Sequence, residues 1–193
     1  ERLPACSDST RADTLYLSFY PGRTAEHFTG FTGELKFLAT GSDTLGPWWH
    51  MESKGGENGG NMLVEWGPSP DMPGIQPWQT GGHGFALMDH TSTAMRLRLL
   101  FALTLDDAGP LAADVTYTLC RVIVRHRPAR RLAGCEQPVC VQWAKATLGF
   151  ALKDEPEVRR GERLVSLSGP YSLCEPFHEA PVRVWRPKAP GSK

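Results

Sequence analysis

Residues 94–105 read Ala94-Met95-Arg96-Leu97-Arg98-Leu99-Leu100-Phe101-Ala102-Leu103-Thr104-Leu105. At the start of this stretch Arg96 and Arg98 point one way, while Met95, Leu97 and Leu99 point the other. A two-residue period marks a half-buried β-strand, because successive side chains leave a pleated backbone on opposite faces. The turn-forming run Asp106-Asp107-Ala108-Gly109-Pro110 then closes the segment. The longest apolar stretch, residues 113–124, carries the same period with a fault in it. Val115, Tyr117 and Leu119 share one parity and Val122 and Val124 take the other, so a β-bulge is expected near Cys120.

Working outward, further short strands are expected at residues 14–20, 34–40, 61–66, 84–88, 139–143, 146–152, 163–167 and 181–185, most of them bounded by Gly or Pro. Residues 24–28 suit a single helical turn, and 141–150 have a weak helical period. Many short strands on a chain of 193 residues predict an all-β, single-domain jelly-roll, that is, an eight-stranded antiparallel β-sandwich with long surface loops. The domain is expected to fill residues 1–193, with 1–13 and 186–193 as extended terminal arms. The first residues, Glu1 to Cys6, hold neither a methionine nor a signal-peptide core and read as a processed or trimmed end. Two glycine- and proline-rich segments, 41–60 and 68–83, read as exposed loops carrying Trp48, Trp49, Lys54, Glu57 and Trp78. Long loops on a β-scaffold are usual places for binding surfaces.

Lys+Arg and Asp+Glu are balanced at 21 each, so no global field draws in nucleic acid or an acidic membrane. No apolar run is long enough to span a bilayer as a helix. Neither Asn58 nor Asn61 begins an Asn-x-Ser/Thr acceptor. The cysteines are Cys6, Cys120, Cys135, Cys140 and Cys174, an odd number without tight spacing. Cys120 lies in an apolar run as a buried thiol would. Cys135 and Cys140 read as two unpaired loop thiols or as a local disulfide. The set as a whole suits a reducing compartment, or else a secreted protein with two bridges and a spare thiol.

The screen for chemistry finds little. The glycines after Lys54 lack the Gly-Lys-Ser/Thr ending of a phosphate loop, and no Gly-x-Ser-x-Gly elbow occurs. His83 and His90 have opposite parity on one strand, and no compact metal-ligand pattern appears. The carboxylate pairs Asp106/Asp107 and Glu155/Glu157 have no spacing that would set their acidities apart. The expectation is a protein without catalytic residues, metal or cofactor. One basic cluster stands out, Arg121, Arg125, His126, Arg127, Arg130 and Arg131. It reads first as a solvated loop with ion pairs, and otherwise as a site for phosphates or sulfated glycans.

Several segments in order resemble the pentamer-centre coat protein of picornaviruses, the largest of that family's major jelly-roll subunits. They are Ser18-Phe19-Tyr20-Pro21-Gly22-Arg23, Glu34-Leu35-Lys36-Phe37, the run from Met62 to Pro70, Trp78-Gln79-Thr80-Gly81-Gly82, and the tail from Val182 to Pro190. The Pro-Tyr bend expected near residues 99–103 and the later aromatic-Asn-Gly turn are absent, and 120–142 has no counterpart. The resemblance implies a structural capsid protein of a small non-enveloped RNA virus. It would assemble with the other capsid proteins of the virion into a hetero-oligomeric pentamer and an icosahedral shell, enclosing the viral RNA genome. Host receptor attachment would fall on the loops with Trp48, Trp49, Lys54, Glu57 and Trp78, and assembly on Trp185, Arg186 and Pro187. The location would be the virion, and the host cell cytoplasm during assembly, and the barrel would have room for a lipid-like molecule, as in parts of that family. Two other classes fit the same pattern: a secreted β-sandwich binding protein, such as a viral decoy for host cytokines, and a carbohydrate-binding module with Trp48, Trp49 and Trp78 as its platform.

Overall fold

The alternation in residues 94–105 is realised as a strand whose Met95, Leu97, Leu99 and Phe101 are buried while Arg98, Leu100 and Ala102 face solvent. The computed structural model describes residues 12–19, 21, 23–51, 60–67, 75–77, 82–126 and 133–151, with the backbone of 157–159 and 164–167. Within these the strands are β1 (Ala12–Phe19), β2 (Ala25–Ala39), β3 (Met62–Trp66), β4 (His83–His90), β5 (Ala94–Ala102), β6 (Gly109–Leu111), β7 (Tyr117–Arg125), β8 (Val139–Phe150), β9 (Glu157–Arg159) and β10 (Leu164–Leu167).

They form an all-β sandwich of two open antiparallel sheets. The smaller sheet has the order β1-β7-β3; the larger runs β10-β8-β2-β5-β4, with β6 on β2 and β9 on β8. Every ladder between named strands is antiparallel. The expected strand at 181–185 and the tail arm at 186–193 lie outside the described residues. β1 starts at Ala12, inside the expected N-terminal arm.

Two register faults explain the irregular patterns in the sequence. On β7, Leu17 faces Cys120 but Ser18 faces Thr118, so Leu119 is the extra residue of a bulge. The fault flips parity, and Tyr117 and Leu119 on one side of it and Cys120, Val122 and Val124 on the other are all buried. On β8, Glu34 faces Lys145 while Leu35 faces Trp143, leaving Ala144 extra. Spacings of two interrupted by one of three resemble a helical period, which is why 141–150 looked faintly helical. It is one continuous strand with 139–140. Residues 24–28 form no helical turn either: Ala25 to Phe28 open β2, which is laddered to β8 on one side and to β5 and β6 on the other.

The core runs from Leu17 and Phe28 at one end to Met51 and Met62 at the other. Of the expected exposed loop 41–60, residues 41–44 do face solvent, but Leu45, Trp48, Trp49 and Met51 are folded into the core. Trp48 and Trp49 are each 0% exposed, which corrects their assignment as receptor or glycan contacts. The indole of Trp48 lies flat on His126 (centroids 5.5 Å, planes 2° apart). Trp49 packs on Phe37 at 6.1 Å and edge-on against Trp48 at 4.9 Å. The backbone is held as well: Gln137 accepts from the Gly46 N–H at 2.5 Å and donates to the Thr44 carbonyl at 2.8 Å, and the Trp48 N–H reaches Ala133. Gly134, with φ 106°, allows that approach, since a Cβ on Gly46 would meet its Cα at 2.9 Å.

The cysteines divide by burial and bonding. Cys135 and Cys140 are both disulfide-bonded, which overturns the reading of two unpaired thiols. Cys120 is free and buried, and desolvation pushes its thiol from 9.0 up to about 12.

Two predictions follow from this packing. Trp48→Ala should lower unfolding free energy by about 3–5 kcal/mol, read by urea denaturation, because it empties a filled interior; a surface tryptophan would cost about 0.5 kcal/mol or less. The Cys120 thiol stays protonated in the native protein to about pH 12, whereas the unfolded chain releases that proton from about pH 9. The unfolded state then binds fewer protons, so stability must fall as pH rises between those values, by up to about 1.4 kcal/mol per pH unit from this group. Cys120→Ala should remove that part of the alkaline decline in parallel denaturation curves.

Candidate functional site

Strand register lays out a grid on the outer face of the larger sheet. One row across β4, β5, β2 and β8 is Phe85, Leu100, Thr32 and Thr147. The next is Leu87, Arg98, Glu34 and Lys145, and a third is Asp89, Arg96, Lys36 and Gln142. Neighbouring strands lie about 4.8 Å apart, so each row spans roughly 14 Å.

This face is exposed because the opposite parity is already spent on the core. On β4, Gly84, Ala86 and Met88 turn inward, and Gly84 is needed there because the Trp66 indole lies against its Cα, where a Cβ would collide. Trp66 in turn stacks on Phe101 at 5.7 Å. Phe85 and Leu87, on the other side, are left 64% and 61% exposed, and their neighbour Leu100 is 45% exposed. Scattered apolar residues are ordinary on a surface; here three large ones stand side by side in the sheet register.

Charge surrounds the apolar corner. Arg96 donates to Asp89 at 2.6 Å, and Arg98 is shared loosely between Glu34 at 3.7 Å and Asp89 at 3.4 Å. Lys36 and Lys145 complete the grid with no carboxylate within ion-pair reach among the described residues.

Of the residues singled out from sequence, Trp48 and Trp49 are core. Lys54, Glu57 and Trp78 lie outside the described residues, as do Trp185, Arg186 and Pro187. In the basic cluster, Arg125 ends β7 opposite Ala12. Arg121 is tied to Glu65 at 2.6 Å, and His126 is fully buried with Nε2 2.7 Å from Asp13. Arg121 and His126 are thus engaged within the fold, while Arg127, Arg130 and Arg131 lie outside the described residues. His83 faces solvent beside Phe85, whereas His90 stacks on His50 at 4.2 Å, so the two do not converge. Among the described residues no three His, Cys, Asp or Glu side chains come together.

Sequence reasoning missed Phe85 and Leu87. Both parities of residues 84–88 are apolar, so the inward face was ambiguous within that run. The usable signal was at its ends, because His83 and Asp89 share the parity of Phe85 and Leu87. No family model, no curated protein and no solved structure matches this chain.

Proposed function

We propose that this chain is a secreted β-sandwich binding protein that acts by holding a protein ligand, in the manner of a cytokine decoy. The observation that carries the reading is the outer face of the larger sheet, where Phe85, Leu87 and Leu100 stand exposed beside a partly neutralised lattice of arginine, lysine and carboxylate. Protein interfaces are built this way, with apolar or aromatic anchors inside a polar rim that includes arginine.

The cysteines support the compartment. Disulfides persist in oxidising surroundings, and among the described cysteines Cys135 and Cys140 are bonded while Cys120 is buried and protonated. A thiol in that state is a poor nucleophile and does not scramble its neighbours. The capsid reading implied cytoplasmic assembly and receptor contacts at Trp48 and Trp49; bonded Cys135 and Cys140 and the burial of both indoles do not favour those two implications. The carbohydrate platform loses the same two tryptophans.

The test is a thiol count joined to native mass spectrometry on protein purified without reductant. The expected result is a monomer in which Cys135 and Cys140 resist alkylation before reduction, and Cys120 reacts only after unfolding. Reaction of every cysteine without reductant, together with co-purification in five-fold assemblies with two other coat proteins, would overturn the proposal in favour of the capsid.

A further inference from the structure

The binding-protein reading leaves open what the ligand looks like, and the grid constrains it. Its described cations are Lys36, Arg96, Arg98 and Lys145, against the carboxylates Glu34 and Asp89. The bonds are uneven. Arg96 is committed to Asp89, whereas Arg98, its side chain 51% exposed, sits beyond good hydrogen-bonding distance of both carboxylates. The described grid therefore holds four cations against two carboxylates, on a chain whose formal charge is zero.

We infer that this face docks an acidic protein surface, which seats an apolar side chain in the corner formed by Phe85, Leu87 and Leu100. The inference rests on the binding-protein reading and adds the chemistry of the partner. Carboxylates of the ligand would meet Lys36, Lys145 and the free side of Arg98. Arg98 can exchange a loose contact for a tight one at little cost, since its present partners hold it at 3.4 Å or more.

Two other occupants fit less well. A second copy of the chain would set one cationic face against another, and like charges brought together oppose association. A dense polyanion such as RNA or heparin would meet Glu34 and Asp89 inside the grid. Among the described residues of the grid it would also find a single aromatic ring, Phe85, where base stacking needs several.

The experiment pans random dodecapeptides displayed on phage against the full, disulfide-intact chain. Each selected peptide is then measured on Leu87→Asp and Lys145→Glu variants. Leu87 is exposed, so the thermal melt of Leu87→Asp should match the parent, whereas Lys145→Glu sets a second carboxylate opposite Glu34 and should melt slightly lower. The expected peptides are rich in Asp and Glu around one large apolar residue. Leu87→Asp should weaken them about ten-fold or more. Lys145→Glu should weaken them less and flatten their loss of affinity with added salt.

Neutral or basic peptides, no enrichment at all, or acidic peptides that bind both variants as tightly as the parent would overturn the inference. So would binding of heparin or single-stranded RNA that Leu87→Asp leaves intact and Lys145→Glu abolishes. Failure here is distinguishable from failure of the broader reading. Peptides that bind elsewhere on a monomer with bonded Cys135 and Cys140 remove only the acidic-ligand assignment. Fully reduced thiols in five-fold assemblies remove the binding-protein reading itself.

Discussion

The contact on which the sandwich depends is the pair of indoles at residues 48 and 49. Trp48 lies flat on His126, which follows the last residue of β7 in the smaller sheet, and Trp49 packs on Phe37 in β2 of the larger. Because the two indoles also touch each other edge-on, they join the sheets at that end. Open sheets have no closing hydrogen bonds to fix their separation, so side chains of this size set the spacing. The disulfide-bonded Cys135 and the glycine at 134 lie in the segment against which this pair is seated. A small polar residue at either tryptophan would leave a void that neither sheet could collapse to fill without breaking its ladder.

A filled interior has a consequence for the exterior. Strand parity is all or nothing: once Met95, Leu97, Leu99 and Phe101 face inward, Arg96, Arg98 and Leu100 must face out. The same holds on β4, where packing of Trp66 over Gly84 fixes which side is inner and so leaves Phe85 and Leu87 on the outer side. Exposure of these apolar side chains is thus imposed by the core, and the outer face balances it with charges arranged in rows. That combination of rigid backbone, apolar corner and adaptable cations gives the face the character of an interface.

The structure also changes how the cysteines and the basic cluster are understood. Arg121 and His126 had the look of a surface patch in sequence, yet Arg121 is a cross-strand partner of Glu65 and His126 is buried against Asp13 and Trp48. Each carries its charge or proton into a contact that holds strands together.

Sequence by itself determined the strand-rich class, the positions of most strands and the bulge at Cys120, because a two-residue period and its faults are local properties of the chain. It also identified Cys120 as buried, from the apolar run around it. It could not determine the fate of residues 41–51, where glycines and a proline signal a loop. The groups that bury this segment, Gln137 and His126 among them, lie far along the chain, Gln137 at a separation of 91 residues from Gly46. Nor could it say which parity of residues 84–88 faces inward, or that Cys135 and Cys140 are bonded. Those were decided by tertiary structure, since burial, disulfide pairing and the facing of an all-apolar strand depend on what the rest of the chain brings to the same place.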